Sequence, residues 1–338
     1  MSNNTSMGSG DRNKKSSVLI KNLQERSREC QEFVRKLLLS ERIESRILLN
    51  ALKHYFSYWN DYSHPGLFSI VYEAVGCKTS SMLEPQAAMA MIAAGFDLHD
   101  DIVDTSRVKH GYSTVYGKFG EGPTLLLGDA FLVGGFTLLG VAASRLSTGR
   151  RTEISRIIKS CLFEVGNAHV LELSLKGKND ISQEKYLTIL KMKSASFEAD
   201  AHVAAIFGTE NQASTHTMKQ YGRNIGTLAT LRDEFVDVFD VDELNRRVKS
   251  EVLPMPIVCA LQDARHRHQL TTLLRKRKLT ATDAETIISI VFESESVTAL
   301  KKYMQGLATQ NVHLTQKIKN VGLKALLRDL TNSLLEDL

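Results

Sequence analysis

Asp100-Asp101-Ile102-Val103-Asp104 is the stretch whose residue types and spacing best support chemistry. It sits in the run Gly95-Phe96-Asp97-Leu98-His99-Asp100-Asp101, with apolar residues from Ala87 to Phe96 before it, and that setting predicts a helix. At about 3.6 residues per turn, Asp100 and Asp104 lie one above the other, with Asp101 a step around the same side. Carboxylates this close repel one another, and burying them unpaired is costly. Hard divalent cations relieve that repulsion; Mg2+ typically takes one or two carboxylates together with substrate phosphate oxygens. A solvated acidic turn would account for one such cluster alone. A second, Asp233-Glu234-Phe235-Val236-Asp237, repeats the spacing within another apolar helical stretch, Ile225 to Phe239. Two such helices facing each other across a cavity could hold several Mg2+ ions and a diphosphate.

The elements that must position these residues are helices. The 338-residue chain has 43% hydrophobic residues, only five prolines and little strand-like alternation. Residues 1–17 read as a disordered tail without a signal-peptide core, and 18–338 as one domain. The expected fold is all-α, an antiparallel helix bundle around a central cavity. A net charge of +5 is too mild to indicate nucleic acid or an anionic membrane. Cys30, Cys77, Cys161 and Cys259 lie far apart without metal spacing, as buried thiols of a cytoplasmic protein would. Leu125 to Ala143 is nearly all apolar but carries Asp129, so a buried central helix is expected there, not a membrane span.

Along the chain, amphipathic spacing runs from 18 to about 60, and an aromatic run from Tyr55 to Tyr62 follows. A helix is expected from Leu67 to Val75, a turn over Gly76 to Ser81, and then Pro85 in the first turn of the acidic helix. Further helices are expected over Glu153–Leu175 and Ile181–Phe207, with the second acidic helix beginning near Ala213 or Tyr221. Three or four more follow Ile257, one opened by a capping box of Thr282 and Glu285. The run Arg275-Lys276-Arg277-Lys278 reads as a solvated helix end.

In order, His99-Asp100-Asp101-Ile102-Val103-Asp104, Lys109-His110-Gly111, Gly128-Asp129-Ala130-Phe131, Lys193-Ser194-Ala195 and Gly226 through Asp237 resemble the motifs of the trans-isoprenyl diphosphate (polyprenyl) synthase family. The resemblance covers roughly residues 35 to 260. It implies Mg2+ held by both clusters, gripping the diphosphate of an allylic prenyl substrate as it leaves. Asp100, Asp104 and Asp233 are then the foremost ligands, Asp101 and Asp237 close behind, and Glu234 reaches metal through water. Lys109 and Lys193 contact the diphosphate as point charges. A homodimer is implied by the family alone.

The chain also departs from the family. Where the family's second diphosphate, that of isopentenyl diphosphate, is bound, this sequence has Asp61, His64, Ala93 and His110. Each lost charge or donor should cost about 1 kcal/mol or more of diphosphate binding. Ala229 and Thr230 replace Phe-Gln before the second cluster, and Arg246, Arg247 and Lys249 stand after it as a basic lid or a solvated loop. Phe96, one turn before Asp100, either closes the floor of a chain pocket or packs in the core. The expected activity is prenyl transfer to an acceptor. The alternatives are a terpene-synthase-like lyase and a non-catalytic partner subunit; the intact carboxylates argue against the last.

Overall fold

The computed structural model describes residues 9–77, 82–109, 111–178 and 180–336, with side chains from residue 18. Its contacts divide into two compact units, Met1–Arg156 with Asp200–His216, and Ile157–Ala199 with Thr217–Leu338. The first unit holds α1 (Ser9–Leu39), α2 (Arg46–Tyr58), α3 (Ser63–Ala74) and α4 (Leu83–Val103). A hairpin of β1 (Val108–Lys109) and β2 (Tyr112–Ser113) follows, then α5 (Val115–Phe119) and α6 (Glu121–Ala143). Helices α7 (Thr148–Leu173), α9 (Ala195–Gly208) and α10 (Gln212–Phe239) each begin in one unit and end in the other, whereas α8 (Gln183–Lys193) lies within the second. The second unit continues with α11 (Val241–Ser250), α12 (Met255–Ala260), α13 (Ala264–Leu274), α14 (Ala281–Glu293), α15 (Glu295–Thr315) and α16 (Val321–Ser333).

The first unit is built on α4 against α6. A Cβ added at Gly128 would lie 2.4 Å from the His99 ring, one at Gly95 2.7 Å from Leu132, and one at Gly135 2.8 Å from Ile92. These glycines let the two backbones approach. Phe131, fully buried one turn past Gly128, sits edge-on to Tyr55 with centroids 5.1 Å apart. Burying such a side chain contributes roughly 1.5–3 kcal/mol. The Gly128-Asp129-Ala130-Phe131 motif is therefore a packing device: Gly128 admits His99, Asp129 approaches its Nε2 at 3.3 Å, and Phe131 fills the core.

Several expectations are corrected. α1 begins at Ser9, inside the stretch 1–17 read as tail. The helix expected over 181–207 breaks at Ser194, whose hydroxyl turns back to the Lys191 carbonyl at 2.6 Å. The capping box of α14 is Thr280 with Asp283, not Thr282 with Glu285; Thr280 is the extended residue, and Thr282 already lies within the helix. α6 is not a fully buried helix: Leu126, Val133 and Val141 are exposed on one face. It is the one helix among the described residues long and apolar enough to cross a membrane.

Candidate active site

The first acid cluster ends α4. Asp101 is buried and Asp100 and Asp104 are half-buried, with the Asp104 N–H donating to the Asp100 carbonyl at 2.8 Å. The helix closes by bonds from Thr105 N to Ile102 O (3.1 Å) and Ser106 N to Asp101 O (2.8 Å), a Schellman end. Thr105 takes the left-handed position at φ 53°, where a β-branched residue is strained. The chain then turns into the β1–β2 hairpin, with Gly111 at φ 81° in its turn, and Lys109 comes back over the helix. Its Nζ lies 2.8 Å from Asp101, 3.2 Å from Asp97 and 3.8 Å from Asp100. Burial works against that ammonium, but the three carboxylates outweigh it and hold Lys109 well above the usual lysine range. Burial pushes Asp101 up to about 6, against the pull of Lys109 and with repulsion from Asp97 and Asp100. Asp97 is the member of this group to which the sequence reading gave no role. The signal was present: it stands one turn before Asp100 and Asp101 on the same helix.

Two of the residues expected at the second-substrate subsite, Asp61 and His64, are otherwise engaged. The Asp61 carboxylate accepts from the N–H of Ser63 at 2.9 Å and His64 at 3.3 Å, capping the start of α3. His64 Nδ1 meets the buried Asp200 carboxylate at 2.5 Å. Burial opposes the imidazolium, but Asp200 and Asp61 push His64 up to about 9. Asp200 lies 136 residues from His64 in sequence, and no local pattern pairs them. Ala93 and Phe96 are half-buried on α4, and His110 lies outside the described residues.

The second cluster is on α10, whose core face carries Leu231, Phe235 and Val238. Asp233 is exposed, Asp237 half-buried, and Glu234 turned toward the core. Asp240 caps α11 by accepting from Asp242 N (2.9 Å) and Glu243 N (3.0 Å), which folds that short helix back on α10. Arg247 thereby reaches Asp237 Oδ2 at 2.5 Å and both oxygens of Glu234 at 2.9 and 3.0 Å. Within the stretch read as a basic lid or a solvated loop, Arg247 is buried and Arg246 pairs with Glu243 and Glu251, while Lys249 is exposed. Lys193, at the end of α8, pairs with Glu172. Beyond it, Ser194 and Phe197 press against Gly226, where a Cβ would lie 2.9 and 2.8 Å from theirs.

Among the described residues, no three His, Cys, Asp or Glu side chains converge closely enough to hold a metal ion by themselves. Mg2+ is ordinarily bound through one or two carboxylates plus substrate phosphates. The first cluster fits such an ion. Its donors are hard oxygens, and they already gather a cation, the Lys109 ammonium. The second cluster fits less well, since Glu234 already faces the Arg247 guanidinium and two further protein donors.

Residues 45–291 match the family model described as polyprenyl synthetase. A short chain isoprenyl diphosphate synthase of Methanothermobacter thermautotrophicus is 25% identical over 308 residues, 86% of this chain and 91% of the relative. A geranylgeranyl diphosphate synthase of Methanosarcina mazei is 23% identical over 190 residues, 56% of this chain and 58% of the relative. The crystal structure of geranylgeranyl pyrophosphate synthetase from Pyrococcus horikoshii Ot3 shares the fold, with a TM-score of 0.82 at 19% identity over 95% of this chain and 99% of that one. With its matched span and its acid motifs in order, the chain belongs to the polyprenyl synthetase family of prenyltransferases.

Proposed function

We propose that this protein ionises an allylic prenyl diphosphate and transfers the prenyl group to an acceptor in isoprenoid biosynthesis. The observation that carries this reading is the seating of Lys109 among Asp97, Asp100 and Asp101 at the end of α4, in a chain of this family. The bond between the allylic carbon and the diphosphate oxygen breaks, and its electron pair leaves on the diphosphate. Mg2+, when bound, supplies positive charge that stabilises this leaving group. Asp100, Asp104 and Asp233 are the proposed ligands, with Asp101 and Asp237 beside them. Lys109 and Lys193 would hold diphosphate oxygens as point charges; Lys109 lies among three carboxylates and Lys193 beside Glu172.

A second reading, a lyase that uses the prenyl diphosphate alone, is favoured by one observation. Asp61 is committed to a helix cap and His64 to Asp200, at positions where the family resemblance places the second diphosphate. Purified protein with Mg2+ and geranyl, farnesyl or geranylgeranyl diphosphate separates the two. Diphosphate release that requires isopentenyl diphosphate and gives a longer prenyl diphosphate ends the lyase reading. Hydrocarbon or alcohol formed without it ends the elongation reading, and no release under either condition ends both. We also propose a homodimer, in which the exposed face of α6 at Leu126, Val133 and Val141 would find cover. A single-chain mass by light scattering would end that proposal.

A further inference from the structure

Arg247 is placed unlike any other cation near the two acid clusters. Its side chain is 9% exposed, against 31% for Lys109. Nε donates to the Val252 carbonyl at 2.7 Å, Nη1 to Asp237 at 2.5 Å, and Nη2 to Glu234 and, at 3.1 Å, to the Tyr186 hydroxyl. Glu234 is correspondingly held by three donor groups. Oε1 accepts from Arg247, and Oε2 accepts from Arg247 (3.0 Å), the Tyr186 hydroxyl (2.9 Å) and the Met255 N–H (2.7 Å). A carboxylate oxygen offers about two lone-pair sites, and at Oε2 three donor groups already compete for them, while Oε1 accepts from Arg247 alone. An Mg2+ ion approaches its oxygens to about 2.0–2.1 Å in near-octahedral geometry, so binding at Oε2 would require expelling one of these donors, and binding at Oε1 would set the ion against the Arg247 guanidinium. The planar guanidinium fork supplies these bonds in fixed directions, which a lysine ammonium could not.

We propose that Arg247 is the resident counter-cation of the second acid cluster: its guanidinium takes the place of a divalent ion at Glu234 and positions α10 so that Asp233 is that cluster's principal metal ligand. Arg247 is thus a positioning residue acting through Glu234 and Asp237, built by the cap at Asp240 that folds α11 back. This rests on the reading above that the clusters hold divalent ions with a diphosphate. It narrows the second cluster's ligand set, since Glu234, spaced like a ligand, and Asp237, held by Arg247, become part of the frame.

The test counts Mn2+ bound to the full chain with inorganic diphosphate, by electron paramagnetic resonance, in Asp100→Asn, Asp233→Asn and Glu234→Gln. Asp233→Asn should weaken Mn2+ binding about tenfold or more, about 1.4 kcal/mol by the usual conversion. Glu234→Gln should leave binding within about threefold of wild type and lower the unfolding temperature. Equal weakening by Glu234→Gln and Asp233→Asn overturns the proposal, as does an Asp233→Asn protein that binds Mn2+ normally. Asp100→Asn tells the failures apart: if it weakens binding while Asp233→Asn does not, only the Arg247 proposal falls. If Asp100→Asn has no effect either, the metal reading of both clusters falls with it. A second measurement reads the guanidinium itself. In Arg247→Met, Glu234 and Asp237 become open to an ion, so added Mn2+ should raise its unfolding temperature more than that of wild type, and an equal rise overturns the proposal. Should Arg247→Met fail to fold, the Glu234→Gln comparison decides.

Discussion

On α4, three carboxylates meet the ammonium of Lys109, carried over a hairpin and partly open to solvent; on α10, two carboxylates meet the guanidinium of Arg247, buried and pinned from four sides. The spacing of acids along the two helices is the same, yet the first cluster holds a cation that could exchange and the second one that is part of the core. Spacing therefore sets which residues can meet, while the direction each faces decides what they do. Asp101 and Glu234 hold the same position in their motifs and are both buried, but Asp101 meets the Lys109 ammonium whereas Glu234 is held by three donor groups, Arg247, the Tyr186 hydroxyl and the Met255 N–H.

The sharpest break of this contrast is catalytic. Asp100→Asn should lower the rate of diphosphate release about a hundredfold or more, roughly 3 kcal/mol of transition-state stabilisation. Glu234→Gln, assayed well below its unfolding temperature, should cost less than about tenfold. Equal losses would show that both clusters serve the chemistry alike. The contrast reverses for stability. Arg247→Met leaves Glu234 buried without its counter-charge and should cost about 3–5 kcal/mol in urea unfolding. Lys109→Met should cost about 1 kcal/mol or less, because that pair is partly solvated and Asp101, already pushed up to about 6, can take a proton. A Lys109→Met protein as unstable as Arg247→Met would erase the distinction.

His64 and Asp200 combine features of both clusters, being enclosed like Arg247 but built on a cation that titrates. His64 is pushed from 6.5 up to about 9, so the folded protein keeps a proton that the unfolded chain has released. The pair's contribution is full below about pH 6.5 and is lost as pH rises through about 9, a change of roughly 3 kcal/mol. Urea midpoints from about pH 6 to about pH 10 should fall more steeply in wild type than in His64→Gln, where only other groups such as Asp101 still titrate. Parallel curves would show that the imidazole carries no such charge.

What could be read from the sequence follows the range of each interaction. The helix around Asp100, the start of α10 near Ala213 and the solvated end at Arg275 to Lys278 rest on patterns a few residues long, and the structure has them. Lys109 could be tied to the acids by its motif, but its seat among Asp97, Asp100 and Asp101 depends on a hairpin too short to announce itself by alternation. Arg247 was legible as a charge near the second cluster and not as a core residue, since its burial needs α11 to fold back and Tyr186 to arrive from α8. The α14 cap shows a local failure. Thr280 and Thr282 both precede an acid by three residues, and only backbone geometry selects Thr280.

The smallest effect lies where the two acid helices end. α10 gives way at Asp240, an extended residue whose carboxylate caps the next helix without strain. α4 ends on Thr105, the one non-glycine residue at positive φ among those described. A left-handed conformation costs an L-residue about 1–2 kcal/mol, part of which glycine returns through its larger unfolded-state entropy. Thr105→Gly should therefore stabilise the protein by about 1 kcal/mol or less, a rise of a few degrees at most in unfolding temperature. The opposing contribution is the hydroxyl bond from Thr105 Oγ1 to the Asp104 carbonyl at 2.6 Å, which is exposed and so worth little against water. A lower unfolding temperature for Thr105→Gly would mean that this bond outweighs the strain, and that the first cluster's end is held as firmly as the second's.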